Sequence, residues 1–263
     1  ASWSRRASAS APTDAAAVAE ALLEARKLGK RFGALQALDG VDVAVRPGSF
    51  HGLIGPNGSG KSTLLKAIAG AHLPDAGTIA FAGRDITRAL PYERARQGLC
   101  LKFQITAVMA ELSVYDNVLL ASQSRERLPS LLGSRSRRRA DREVMGALER
   151  FRLAHRADDL AGELSHGEQQ WLEIAMALAP EPRLLLLDEP TGGMSPEERR
   201  ATGELLRPIK ARCAMVIVEH DLDFIKDICD RLTVLDQGRV LDDGTVAEIE
   251  RSPRVQEIYV SRV

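Results

Sequence analysis

Gly55-Pro56-Asn57-Gly58-Ser59-Gly60-Lys61-Ser62 is the stretch from which the architecture follows. It fits the spacing G-x-x-x-x-G-K-[ST], follows the apolar run Phe50–Ile54 and precedes Leu64, Leu65 and Ile68, which recur at helical spacing. A strand, a glycine-rich turn and a helix in that order form a cradle for a polyanion. Small residues let backbone N–H groups turn inward, the helix N-terminus adds the positive end of its dipole, and a lysine reaches the outer phosphates. Gly55, Pro56, Asn57, Gly58, Ser59, Gly60, Lys61, Ser62 and Thr63 are therefore the candidate phosphate-binding residues. Lys61 is placed for the β- and γ-phosphates, and the Ser62 hydroxyl for Mg²⁺.

Two further strands are read to end at the same place. Leu184-Leu185-Leu186-Leu187-Asp188-Glu189 is an apolar run closed by two carboxylates. Asp188 is placed to hold Mg²⁺ directly or through water, and Glu189 to orient and deprotonate an attacking water. Paired acids at a strand end also occur as solvated turn residues, but a phosphate loop upstream favours the catalytic reading. Ala214–Val218, followed by Glu219-His220-Asp221, ends at the same edge, where ligands gather in open α/β sheets. Apolar runs without alternation belong to parallel strands covered on both faces. Alternation in Val41, Val43 and Val45 and across positions 78–81 predicts further, half-exposed strands. Ser195-Pro196-Glu197-Glu198 opens a helix, with Ser195 as cap, Pro196 in the first turn and Glu198 completing a capping box. A helix over about 167–178 places Trp171, Ile174, Ala175 and Leu178 on one core-facing stripe.

Composition narrows the class. The 263 residues carry 36 Lys+Arg against 36 Asp+Glu, a net charge of zero, which gives no support for bulk nucleic-acid binding. Hydrophobic residues at 44% and charged residues at 27% exclude a disordered, collagen-like or disulfide-scaffold chain. Cys100, Cys213 and Cys229 are too few and too scattered for a disulfide framework or a zinc site, and read as buried thiols in a reducing compartment. No apolar run approaches the roughly 18 residues a membrane span needs. Residues 1–20, rich in Ala and Ser, are read as a disordered tail, and 21–263 as one domain. Positions 113–162 lack strand signals and look helical, with a polar break near 122–142. Between positions 125 and 142 seven Arg stand against two acidic residues, either a solvated face or an attraction to anionic lipid headgroups.

Leu164-Ser165-His166-Gly167-Glu168-Gln169-Gln170 stands upstream of Asp188. Taken in chain order with Lys61, Gln104, Asp188-Glu189 and His220, it resembles the nucleotide-binding subunit of ATP-binding cassette (ABC) transporters, over positions 22–260. The resemblance implies an α/β fold: a P-loop NTPase (RecA-like) core with a mixed parallel sheet, an antiparallel β subdomain and a helical subdomain inserted at about 105–165. It implies ATP and Mg²⁺, with Phe32 stacking on adenine and Gln104 contacting Mg²⁺ and the attacking water. Ser165 and Gly167 would meet the γ-phosphate of ATP held by the opposite subunit, Glu189 would be the catalytic base, and His220 the switch histidine on the γ-phosphate. The implied partners are a second ABC ATPase subunit (identical or not), integral membrane permease subunits and, indirectly, a periplasmic or extracellular solute-binding protein. Nucleic acid is not among them, and the implied place is the cytoplasm, peripheral on the inner face of the cell membrane.

Lys102-Phe103-Gln104-Ile105-Thr106, Gln169-Gln170-Trp171-Leu172-Glu173-Ile174 and Pro253-Arg254-Val255-Gln256-Glu257-Ile258-Tyr259 resemble the branched-chain amino acid and urea uptake group. Three positions depart from the family pattern. His166 replaces the usual second signature glycine, Glu168 replaces a glutamine and would repel a nearby triphosphate, and Ser195 stands at the D-loop aspartate. A non-transport ABC ATPase and an ATP-gated scaffold with weak hydrolysis stay open as alternatives.

Overall fold

The computed structural model describes residues 21–102, 108–123 and 134–260. The predicted tail at 1–20, Gln104 and much of the Arg-rich stretch lie outside the described residues. Six strands form the central sheet in the order β10 (Arg239–Thr245), β9 (Arg231–Asp236), β3 (Phe50–Ile54), β8 (Ala214–Val218), β7 (Leu184–Asp188) and β6 (Leu99–Lys102). The five from β9 to β6 run parallel, and β10 returns antiparallel on β9.

Every residue of β3, β7 and β8 is buried, as their unalternated apolar runs require. The two-residue period of a strand divides their side chains between two cores. Leu185, Leu187, Met215 and Ile217 join a core shared with the later helices. Leu184, Leu186, Val216 and Val218 pack on the other face with Leu64, Leu65 and Ile68 of α1 (Lys61–Ala69).

A second sheet, β2 (Leu35–Val45), β1 (Leu23–Phe32), β4 (Ala76–Phe81) and β5 (Arg84–Asp85), is antiparallel and closes that second core. Val41, Val43 and Val45 are buried while Asp42 and Ala44 are exposed, the alternation read from sequence. β1 was not signalled: its pairing shifts register between Ala25 and Leu28, and Lys27 there sits at φ 49°. That irregularity breaks the period-two pattern.

After α2 (Pro91–Gln97) and β6, the chain forms α3 (Val114–Gln123), α4 (Ser134–Arg150) and α5 (His166–Leu178) before returning to β7. α4 already runs from Ser134, inside the stretch read as a polar break. Val118, Val144, Leu148 and Phe151 pack with Leu172 and Ile174 of α5 against the sheet. Trp171 is half-buried and donates its indole N–H to Thr202 Oγ1 at 2.8 Å, on α6 (Pro196–Leu206). α7 (Leu222–Ile228), α8 (Val246–Arg251) and α9 (Pro253–Val260) complete the chain. No helix among the described residues is long and apolar enough to cross a membrane. Cys213 and Cys229 are buried free thiols, and Cys100 is half-buried. Burial pushes the Cys213 thiol up to about 12 and raises Cys229 as well.

Where β6 ends, Lys102 Nζ lies 2.8 Å from Glu173 Oε2 and donates to Gln170 Oε1 at 2.7 Å, all three side chains being buried. The pair joins the edge strand to α5. Removing one member of a buried ion pair costs about 3–5 kcal/mol, whereas replacing both with apolar groups is often neutral. Denaturant melts should therefore show Lys102→Met destabilised by about that amount, and Lys102→Met/Glu173→Leu recovering most of the loss.

Candidate nucleotide site

β3 ends in the middle of the central sheet, between β8 and β9, and the chain turns through the glycine-rich loop into α1. Gly55 and Gly60 sit at φ 143° and 105°. A Cβ on Gly55 would stand 2.1 Å from the Leu235 carbonyl oxygen, and one on Gly60 2.6 Å from that of Ala37, so neither position admits a side chain. Lys61 is buried and donates to the carbonyls of Gly55 at 2.7 Å and Pro56 at 2.9 Å. Burial lowers its pKa, against the opposing pull of Glu189 and Asp188. Ser59 Oγ is buried with no hydrogen-bond partner among the described residues, the condition of a group whose partner is a ligand.

The far end of α1 is fixed by a residue the sequence reading missed. Arg94 of α2 is fully buried and donates to the carbonyls of Ala67, Ile68, Thr87 and Ala89 at 2.7–3.0 Å. A cation at the C-terminal end of a helix complements its dipole. Burial among these carbonyls brings the guanidinium down to about 10.

Ser62 Oγ donates to Asp188 Oδ1 at 3.4 Å. A hydroxyl and a carboxylate are the hard oxygen donors that Mg²⁺ takes, so the residues present fit that ion. Burial raises the Asp188 pKa, and the charge of Glu189 adds to the shift. Glu189 Oε1 lies 2.9 Å from His220 Nε2. A carboxylate only accepts, so that ring nitrogen carries the proton. Lys61, Ser62, Asp188, Glu189 and His220 thus come together at the C-terminal ends of β3, β7 and β8, the edge predicted from sequence. Phe32 closes β1 as an exposed ring. His72 meets it edge-on at 5.3 Å between centroids, and Lys30 Nζ stands 5.5 Å from its centre. Asp75 orders this corner by accepting from Lys30 Nζ at 3.0 Å and from the Arg31 N–H at 2.7 Å.

The family described as ABC transporter matches residues 38–192. The chain belongs to the ABC transporter family. Cassettes of that family are ATPases that energise transport. The chain is 32% identical over 252 residues to the high-affinity branched-chain amino acid transport ATP-binding protein LivG of Escherichia coli (strain K12), covering 92% of itself and 99% of that protein. The corresponding protein BraF of Pseudomonas aeruginosa is 33% identical over 248 residues, with 91% and 97% covered. The ribose import ATP-binding protein RbsA of Burkholderia mallei is 36% identical over 245 residues; the chain spans about half of that relative, 48% of its length. Among solved structures, a nucleotide-free ATP-binding cassette from an ABC transporter superposes with a TM-score of 0.80 at 31% identity, covering 91% of this chain and 98% of that one. An ADP conformation of such a cassette gives 0.81 at 31% identity, with 92% and 99% covered.

In this cassette the signature segment is built around helix caps. Ser165 Oγ accepts from the Glu168 N–H at 3.3 Å, and Glu168 Oε2 accepts from the Ser165 N–H at 2.9 Å. Glu168 Oε1 lies 3.5 Å from Arg156 Nη1. The carboxylate expected to repel a triphosphate is therefore turned back onto its own helix start and faces a guanidinium. His166 Nε2 donates to the Gly192 carbonyl at 2.9 Å, joining the start of α5 to the turn after β7. Gly167 is buried against Glu198 at the start of α6. Ser195 and Glu198 form a second capping box, with bonds of 2.8 and 3.2 Å, as predicted. No hydrogen bond joins Ser165 or Gly167 to the phosphate loop among the described residues.

Thr191 and Glu219 were also missed as site residues. Thr191 donates from both N–H and Oγ1 to Glu219 Oε1, at 2.7 and 2.6 Å, and both residues are buried. The only sequence signal was a carboxylate closing an apolar strand beside His220.

Gln completes a capping box as Glu does, and losing a cap costs about 1 kcal/mol. Thermal melts should show Glu168→Ala destabilised by about 1 kcal/mol, with Glu168→Gln within about 0.5 kcal/mol of the parent because the exposed pairing with Arg156 contributes little.

Proposed function

We propose that this chain hydrolyses ATP to drive a solute importer whose cargo is a branched-chain amino acid or a short amide such as urea. The observation that carries the reading is the meeting of Lys61, Ser62, Asp188, Glu189 and His220 at one sheet edge, behind a loop in which Gly55 and Gly60 admit no side chain. Backbone N–H groups of the loop after Pro56 and the N-terminus of α1 receive the phosphates, and Lys61 turns from its two carbonyls to the β- and γ-phosphates. Ser62 and Asp188 would hold Mg²⁺, which when bound neutralises charge across the phosphates. Glu189 takes the proton of the attacking water, in a direction fixed by the His220 N–H, and His220 meets the γ-phosphate. Gln104, outside the described residues, is assigned to the metal and the water, and Phe32 to the adenine ring.

Ser165 and Gly167 serve the ATP of a second ATPase subunit, identical or not, so each site is complete only in a dimer. Integral membrane permeases receive the resulting motion at the cytoplasmic face, and a solute-binding protein supplies them from outside. The helical part at about 105–165 is the inserted subdomain of a single ATPase domain. The solute class draws support from coverage: LivG and BraF are matched over nearly their whole lengths.

Replacement of Glu189 by Gln should leave ATP binding near the parent level while lowering kcat by about 10²–10⁴-fold, the usual contribution of a positioned base. Wild-type turnover in that variant would remove Glu189 from its role. The solute is tested by co-purifying the chain with its membrane partners and following ATPase stimulation by the binding protein loaded with leucine, urea or ribose. Stimulation by ribose alone would overturn the amino acid or amide assignment.

A further inference from the structure

We infer that Glu219 is a positioning residue for hydrolysis, its buried carboxylate acting through Thr191 to hold the turn that carries Glu189 against His220. The inference rests on the reading of Glu189 as base and His220 as its partner. β7 and β8 pair in parallel as far as Asp188 and Val218, and the Glu189 N–H still donates to the Val218 carbonyl at 2.9 Å. There the ladder stops. Glu189 sits at φ 49°, a left-handed backbone that disfavours any residue with a Cβ. Such a conformation persists only where its surroundings over-determine it.

The surroundings here are specific. The Gly192 N–H donates to the Glu189 carbonyl at 3.2 Å and closes the turn. Between them, Thr191 places both of its donors on Glu219 Oε1. Glu219 Oε2 accepts from the His220 N–H at 3.2 Å. One carboxylate thus continues the strand pairing by side chain, gripping the turn after Glu189 on one side and the backbone of His220 on the other. Glu219 is 5% exposed and Thr191 3%, and both carboxylate oxygens of Glu219 are engaged within the clasp. A second tie runs parallel to it: Arg199 of α6 pairs with Asp221, whose Oδ1 also accepts from the Phe224 N–H at 3.0 Å.

The test measures kcat, KM for ATP, ADP affinity and melting temperature on the purified cassette, or on the cassette with its permeases. Thr191→Val deletes the hydroxyl donor and keeps the shape, Thr191→Ser restores the donor, and Glu219→Gln sets an amide N–H₂ against the His220 N–H or the Thr191 donors. Losing a hydrogen bond to a charged group corresponds to about a tenfold or larger effect. Thr191→Val and Glu219→Gln should each lower kcat about tenfold, with KM and ADP affinity within about twofold of the parent because the phosphate loop is untouched. Thr191→Ser should recover most of the rate, and the double variant should fall little below the worse single one, as for groups acting as a unit. Parent kcat in Thr191→Val, or losses of rate, nucleotide affinity and melting temperature in step, would overturn the inference; should Glu219→Gln not fold, Thr191→Val decides alone. Glu189→Gln separates the two levels. If it turns over ATP normally, the base assignment fails; if it is silent while Thr191→Val is normal, only the clasp fails.

Discussion

The arrangement depends on three short parallel strands being covered on both faces. β3, β7 and β8 have no exposed residue, so each side of the sheet must be roofed, by α1 and the antiparallel sheet on one face and by the later helices on the other. Parallel register then brings three chain segments, far apart in sequence, to a common C-terminal edge. The chemistry follows from what stands at or just beyond the end of each strand: a glycine loop after Ile54, two carboxylates at Asp188 and Glu189, and Glu219-His220 after Val218. Burial sets the scaffold, and the ends of the strands carry the function.

This explains which features were legible in the sequence. The central strands announce themselves because burial on both faces leaves apolar runs, and the phosphate loop because only glycine meets its backbone angles and close approaches. Ser195-Pro196-Glu197-Glu198 was readable because capping is local. The flanking strands were not. β9 buries Thr233 between Leu232 and Val234, and that hydroxyl is satisfied only through partners elsewhere in the chain: His51 Nε2 at 2.7 Å and Asp243 Oδ2 at 2.5 Å. Burial drives the His51 pKa down to about 4, so the ring is neutral and suits an interior position. β6 ends in a lysine whose burial makes sense only with Glu173 and Gln170 in place. Arg94 and Glu219 belong to the same class: charged groups inside the protein whose partners are backbone atoms or side chains that local pattern does not reveal.

The departures from the family pattern find a common account in local capping and packing. Glu168 is bound to the cap it completes and to Arg156, and Ser195 caps α6 as an aspartate would. His166 gives the start of α5 a side-chain bond to the Gly192 carbonyl that a glycine could not make. With that carboxylate committed to its own helix start, Glu168 lends no support to an ATP-gated scaffold with weak hydrolysis.

Electrostatics at the edge point the same way. Asp188 and Glu189 are adjacent carboxylates that both act on Lys61, and Lys66 and Lys61 both pull against the rise of Asp188. Burial lowers the Lys61 pKa and raises that of Asp188, and the charge of Glu189 adds to the Asp188 shift. A nucleotide brings further negative charge into this setting. The helix N-terminus and Lys61 offset part of it, and a divalent cation between Ser62 and Asp188 would offset more while relieving the Glu189 repulsion that adds to the burial-driven rise of Asp188. Such a cation would offset the charge of the acids and of the nucleotide together, so binding of either should strengthen binding of the other by the same factor.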